Sequence, residues 1–289
     1  MILLAVDGEG RSSQALPAVA ALALAGRHRV LALHVATSAW APDDPAPDAA
    51  KALAGMGVDA HSETLVVPDG DVAGTLVRRA EGEAAALIAL GSRGLSSLGG
   101  LVLGSVSHQV LAAARCQVLI ASAPPPLSAL VPAEISRILV AVDLSPESSA
   151  ALAAAERLAP SLGAHVLVAH IAGTYRDRGE STYWEALQAT RDHVRSAAQR
   201  LRLLGVSAEW TLEAAAMSVP RRIASLADDW EADLLVLGSR RHRDLAASVV
   251  GSVVHGLCHV TTRPVLVAER PAQPARVAGR RLATQTMEA

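Results

Sequence analysis

Ile2-Leu3-Leu4-Ala5-Val6-Asp7 is written again as Ile138-Leu139-Val140-Ala141-Val142-Asp143, an offset of 136 residues. Val30-Leu31-Ala32-Leu33-His34-Val35 returns at the same offset as Val166-Leu167-Val168-Ala169-His170-Ile171. Further along, Ala86-Leu87-Ile88-Ala89-Leu90-Gly91-Ser92-Arg93 matches Asp233-Leu234-Leu235-Val236-Leu237-Gly238-Ser239-Arg240. Gly104-Ser105-Val106-Ser107-His108 matches Gly251-Ser252-Val253-Val254-His255, and Gln117-Val118-Leu119-Ile120-Ala121 matches Pro264-Val265-Leu266-Val267-Ala268. These later pairs stand 147 apart, so the second copy carries 11 extra residues between its second and fourth apolar runs. A unit this long, written twice, is a duplicated domain; solenoids repeat every 20–50 residues or so.

Within each copy, short apolar runs alternate with Ala- and Leu-rich stretches of helical period. In the second copy 146–161 reads as a helix, with Ser145 as N-cap and Pro146 in the first turn. Residues 185–204 read as a second helix, closed by Gly205. Then follow a strand at 208–213, a helix at 221–229, a buried strand at 234–237 and a helix at 251–259. This β-α-β-α order predicts an α/β fold, a parallel sheet with helices on both faces. The predicted domains are 1–123 and 135–270. Between them 124–134, with Pro124, Pro125, Pro126 and Pro132, is a stiff connector, and 271–289 lacks apolar periodicity and reads as a solvated tail.

Bulk properties agree. At 289 residues the chain suits two domains of roughly 100–150 residues. Half of it is apolar and it has no Phe, so the cores must be built from Leu, Val, Ile and Ala, which suit buried parallel strands. A net charge of -2, without a long basic block before the tail, argues against nucleic acid as a partner. No apolar run reaches the roughly 18–20 residues that span a bilayer. The start lacks a basic region and meets Asp7, reading as a strand rather than a signal peptide. Cys116 and Cys258 lie far apart, each in a predicted helical segment, which suits a reducing compartment. These features predict a cytoplasmic protein without a membrane partner.

In an open parallel sheet, ligands bind beyond the carboxyl ends of the strands. In the first copy those ends carry Asp7, Val35 and Gly91. A glycine-rich loop runs from Gly91 through Gly94 to Gly104-Ser105, where a helix begins. Glycines let the backbone approach a phosphate, and a helix start turns its free N–H groups toward that anion. Ser105 adds a hydroxyl, Asp7 can accept from a ribose hydroxyl or an adenine amine, and Val35 offers an apolar wall. The second copy offers Asp143, Ile171, Gly238, Gly251 and Ser252 at the equivalent places. Arg241 replaces the second glycine, and its side chain either blocks the backbone or pairs with a phosphate itself.

On these residues the chain resembles the universal stress protein family. Its ATP-binding members carry Gly, two residues, Gly, nine residues, then Gly-Ser or Gly-Thr. Gly91, Gly94, Gly104 and Ser105 match that spacing. The resemblance implies two tandem, doubly wound, five-stranded parallel-sheet domains of the adenine nucleotide α-hydrolase-like kind. It also implies that last strands pair about a two-fold axis, here 118–121 with 265–268. The function it implies is a stress-response regulator holding ATP or a related adenine nucleotide, chiefly in the first domain, as a structural ligand or slow switch. ATP in the second domain is left open, magnesium is a candidate companion ion, and hydrolysis would be slow at best. A homodimer and an unknown protein partner belong to the same expectation. Two other readings stand beside it: a nucleotide-free interaction scaffold, and a sensor of another small ligand in the same crevice.

Other chemistries find less support. Lys51 is the only lysine, so no glycine-rich loop ends in the Gly-Lys of a P-loop. Gly8 and Gly10 follow the first strand, but Ser13 stands at the third glycine position of a dinucleotide fingerprint and the ribose-binding acid is missing. His255, Cys258 and His259 share a helix face and could hold a metal, yet the first copy has His108, Leu111 and Ala112 there; helix packing is the favoured reading. Asp228, Asp229, Glu231 and Asp233 read as a solvated turn, 43–48 as a loop, and Trp40, Trp184, Trp210 and Trp230 as packing anchors. No catalytic constellation is nominated.

Overall fold

The apolar runs of the repeat become strands because each is covered on both faces, which an Ile/Leu/Val/Ala run permits without exposing a polar side chain. A computed structural model of the chain describes residues 1–8, 11–38, 44–91, 103–121, 132–145, 147–172, 180–214, 217–239 and 251–269. The predicted connector and tail fall almost wholly outside them. In the first copy the strands are β1 (Ile2–Val6), β2 (Val30–Ala36), β3 (Ala60–Val66), β4 (Leu87–Gly91) and β5 (Gln117–Ala121). In the second they are β6 (Arg137–Ala141), β7 (His165–Ala172), β8 (Ala208–Ala214), β9 (Leu234–Gly238) and β10 (Val265–Ala268). The helices are α1 (Leu16–Gly26), α2 (Ala46–Gly55), α3 (Val72–Gly82) and α4 (Ser105–Ala113), then α5 (Ser148–Leu162), α6 (Glu180–Leu203), α7 (Val219–Asp229) and α8 (Ser252–Cys258).

Each copy is a parallel sheet with the first strand in the middle, and the two sheets are one. The order is β3-β2-β1-β4-β5-β10-β9-β6-β7-β8, parallel throughout except where β5 meets β10 antiparallel. In that pair Val118 faces Val267, Leu119 faces Leu266 and Ile120 faces Val265. Leu119 and Leu266 are equivalent residues of the repeat, so the local two-fold axis runs through them. The sheet thus has α1, α2, α5 and α6 packed on one face and α3, α4, α7 and α8 on the other. Across the seam α1 packs on α5.

Several boundaries differ from the sequence reading. The first helix of the second copy starts at Ser148, not 146, and Ser145 does not cap it; the Ser145 hydroxyl donates to Asp143 Oδ1 instead. Helix α6 begins at Glu180, five residues before the expected start, and ends as predicted before Gly205, which takes the left-handed φ of +79°. Cys116 lies in the turn between α4 and β5 rather than in a helix. Cys258 closes α8 inside the core, where burial pushes its thiol up to about 12. Asp48 is in the first turn of α2, not in a loop.

The predicted acidic turn is built of partnered groups. Asp233 Oδ2 accepts from Ser136 N, Ser136 Oγ and Arg137 N at 2.9, 3.0 and 2.8 Å, fixing the start of β6 against the start of β9. Asp228 meets Arg263 at 3.4 Å, Asp229 meets Arg222 at 3.7 Å and Glu231 meets Arg137 at 3.3 Å. The Arg137 guanidinium also lies 5.6 Å from the centre of the Trp230 ring, which is thus a packing anchor.

One polar contact recurs in both copies. His34 on β2 and His170 on β7 are buried, and each donates its Nδ1 proton to the carbonyl at the end of the neighbouring strand. The bonds reach Val6 O at 2.9 Å and Val142 O at 2.8 Å. The carbonyl can only accept, which fixes the proton on Nδ1 and leaves Nε2 as the acceptor of the neutral ring.

Leu119→Ala and Leu266→Ala each remove a fully buried side chain at the axis. Each should cost about 2–4 kcal/mol in urea unfolding, by equal amounts, with the double variant less than additive because the two face each other. Separately, burial holds the His170 imidazolium below its ordinary 6.5, outweighing the opposing effect of the Val142 bond, with the nearby His193 adding the smallest contribution in the same direction as burial. The unfolded chain therefore binds the extra proton below pH 6.5, so this stabilisation is present above 6.5 and is lost as pH falls through the lowered value. His170→Asn, whose amide can keep the bond to Val142, should show a shallower fall of Tm from neutral pH into mild acid.

Candidate functional site

The parallel order opens a crevice in each half where β1 and β4, or β6 and β9, end side by side and their connections leave to opposite faces. The first crevice is a cavity of about 280 Å³. Asp7 and Gly8 extend β1 into it, His34 and Val35 come from the end of β2, and Gly91 from the end of β4. The first turn of α4 closes one side with Gly104, Ser105, Val106 and Ser107, and Val72 and Leu76 of α3 form an apolar floor. The equivalent crevice in the second half encloses about 300 Å³. Asp143, His170, Ile171, Gly238, Gly251 and Ser252 line it, over Val219 and Ile223 of α7.

Ten of the twelve residues nominated from sequence thus line the two crevices: Asp7, Val35, Gly91, Gly104 and Ser105 in one, Asp143, Ile171, Gly238, Gly251 and Ser252 in the other. Gly94 and Arg241 lie outside the described residues. Sequence reasoning passed over His34 and His170, although both stood in the repeat. It also passed over the apolar floor, whose residues carry no signal of their own in a chain so rich in Val and Leu.

The start of α4 gives the first crevice a polar end. The first helical hydrogen bond runs from His108 N to Gly104 O, which leaves the N–H groups of Ser105, Val106 and Ser107 without a partner inside the helix. Gly104, extended at φ −64° and ψ 158°, has no side chain with which to cap them. These donors, with the Ser105 hydroxyl and the positive end of the helix dipole, face the cavity. Asp7 and Val35 line the same cavity. Ser12 N donates to Asp7 Oδ1 over a long 3.4 Å.

The second crevice keeps the outline and changes the charge. Asp143 Oδ1 accepts from the Ser145 hydroxyl, from Ser145 N at 2.9 Å and from the Ser148 hydroxyl at 2.6 Å. Ser148 Oγ in turn accepts from Asp143 N at 2.7 Å, closing a ring of bonds around the strand end. Glu147, at the position of Arg11 in the first copy, is a second acidic residue of the lining. Gly238 also has a packing reason to be glycine: a Cβ there would meet the Glu147 carbonyl at 2.2 Å.

Among the described residues no helix is long and apolar enough to cross a membrane. The comparison with solved structures agrees with the fold. A universal stress protein from Archaeoglobus fulgidus superposes with a TM-score of 0.72 at 21% identity, over 93% of this chain and 98% of that one. A protein of unknown function from Pseudomonas aeruginosa gives 0.62 at 18% identity, over 93% and 92%. A universal stress family protein from Burkholderia pseudomallei, 25% identical, spans 48% of this chain and 98% of its own, with a TM-score of 0.41. No curated protein gives a significant match to the sequence. The sequence model of the universal stress protein family matches twice, over residues 1–122 and 134–269. With the match covering both copies, the chain belongs to the universal stress protein family as a tandem, two-domain member.

Proposed function

We propose that this protein is a stress-response regulator that binds ATP or a related adenine nucleotide in its first domain, as a structural ligand or slow switch. The observation that carries the reading is the polarity of the first crevice. It combines an acid and an apolar wall, for a base and ribose, with an uncapped helix start, for phosphate. A cavity of about 280 Å³ is at the small end for ligand sites, which suits a nucleoside whose phosphates lie along α4 toward the mouth. Gly94, from outside the described residues, belongs to the same proposed phosphate loop. Magnesium would accompany the phosphates. The reading is of a ligand held rather than turned over, in a cytoplasmic protein that also engages a protein partner.

A second reading applies to the second domain. Two carboxylates line its crevice and one of them is already gripped by serines, an arrangement that repels phosphate unless Arg241 offsets it. We read that domain as the weaker nucleotide site, or as a site for interaction or another small ligand.

Calorimetry on nucleotide-stripped protein tests this. ATP should bind at about one equivalent, and Asp7→Ala should weaken it about 10–100-fold, the range for a lost hydrogen bond to a charged group. Gly104→Arg, with its fold verified by circular dichroism, should abolish it. No heat at millimolar ATP with intact protein would favour the scaffold. Asp143→Ala should leave the ATP stoichiometry unchanged. It should still destabilise the protein by about 1–3 kcal/mol, because the Ser145 and Ser148 hydroxyls lose their acceptor.

A further inference from the structure

The repeat brings three imidazoles together at the seam, away from both crevices. His108 on α4 and His255 on α8 are equivalent residues of the two copies. They meet edge to face with ring centres 5.9 Å apart and planes at 82°. The second copy then adds His259 one helical turn beyond His255, where the first copy has Ala112. The ring centres of His255 and His259 are 4.5 Å apart. Their Nε2 atoms face each other at 3.3 Å, and that contact is exposed to solvent.

Two facing ring nitrogens can be joined in two ways, by a shared proton or by a cation. At 3.3 Å the proton bridge is a long one. The same separation matches the edge of a tetrahedral site, since two nitrogens each about 2.0–2.1 Å from zinc stand about 3.3 Å apart. A pair of histidines four residues apart on a helix is also a good chelate, because both rings project from one face. A proton bridge would use only two of the rings, whereas a cation can recruit the third from the other domain. Among the described residues no group of three or more His, Cys, Asp or Glu is placed to hold a metal ion, so His108 would have to turn its ring to complete a site. The arrangement present is a two-nitrogen bite with a third ring beside it. Cys258, on the same helix, is fully buried in the core and takes no part.

We propose that His255 and His259 chelate a divalent first-row transition cation, with His108 as the third protein ligand, so that the metal clips α4 of the first domain to α8 of the second. Imidazole donors suit zinc, nickel and copper rather than magnesium or calcium. A cation here would bind both sides of the two-fold seam and add to its stability by linkage.

The test is zinc titration of the full-length protein without nucleotide, in a non-chelating buffer, read by calorimetry and by thermal unfolding. The expected result is one equivalent bound with a rise in Tm. His255→Ala and His259→Ala should each weaken it at least about tenfold, and His108→Ala by about tenfold, since losing even an outer partner of a metal site costs about 10–100-fold. His108→Gln, which keeps a polar side chain at the seam, should behave as His108→Ala does, and circular dichroism verifies each fold. Absence of binding by the parent protein, or binding unchanged by His255→Ala and His259→Ala, would overturn the proposal. Binding lost with those two but unaffected by either His108 variant would overturn the clip between domains. Because no nucleotide is present, none of these outcomes depends on the first crevice.

Discussion

Antiparallel pairing of β5 with β10 is the constraint on which the rest of the molecule hangs. A parallel sheet ends in an edge whose N–H and C=O groups need a partner, and the last strand here is a run of buried aliphatics that water cannot serve. Pairing two equivalent strands head to tail satisfies both edges at once and puts the two copies in one sheet. It also fixes the rest: the helices of each copy must continue the same layers, α1 must meet α5, and α4 must come near α8. The two crevices then lie at opposite strand ends of a single sheet, because the strand direction reverses at the seam.

Within that frame the copies have diverged where chemistry matters and not where packing does. The strand cores of both are the same aliphatic runs, and the His34 and His170 bonds to neighbouring carbonyls are the same bond. The copies differ at four consecutive positions after the first strand. Gly8, Glu9, Gly10 and Arg11 in one correspond to Leu144, Ser145, Pro146 and Glu147 in the other. The change brings an acid to the second lining, and Ser145 and Ser148 draw the strand-end carboxylate into a local ring. A nucleotide site needs positive potential where its phosphates sit, and an extra carboxylate opposes that at short range. On the proposed reading, duplication leaves one crevice for the nucleotide and a second, of the same outline, that binds it more weakly or takes another ligand.

Much of this was legible in the sequence. The repeat, the class of fold, the strands and most nominated crevice residues follow from apolar runs and strand-end positions, which are local signals. The pairing of β5 with β10 was expected only through family resemblance, since no residue in an edge strand names its partner. Ser145 shows the other limit. Ser followed by Pro reads as a helix start, but a carboxylate two residues earlier competes for its hydroxyl, and only the folded loop decides which wins. His34 and His170 were visible as repeated letters, while their role depends on a carbonyl 28 residues away in sequence. The meeting of His108 with His255 likewise depends on the seam, which no residue of α8 announces by itself.

The seam also bears on further assembly. Single domains with a free last strand can pair with a second chain through it; here that edge is used within the chain. The outer strands, β3 and β8, are poor substitutes. Each carries a glutamate held by an arginine of the flanking helix: Glu63 by Arg79 of α3 and Glu213 by Arg222 of α7, both at 2.7 Å. Partly exposed charged side chains along an edge discourage the addition of another strand, because pairing would strip them of water. Growth of the sheet is therefore blocked at its centre by a completed pair and at its ends by charge. The ten-stranded sheet is in that sense complete within one chain.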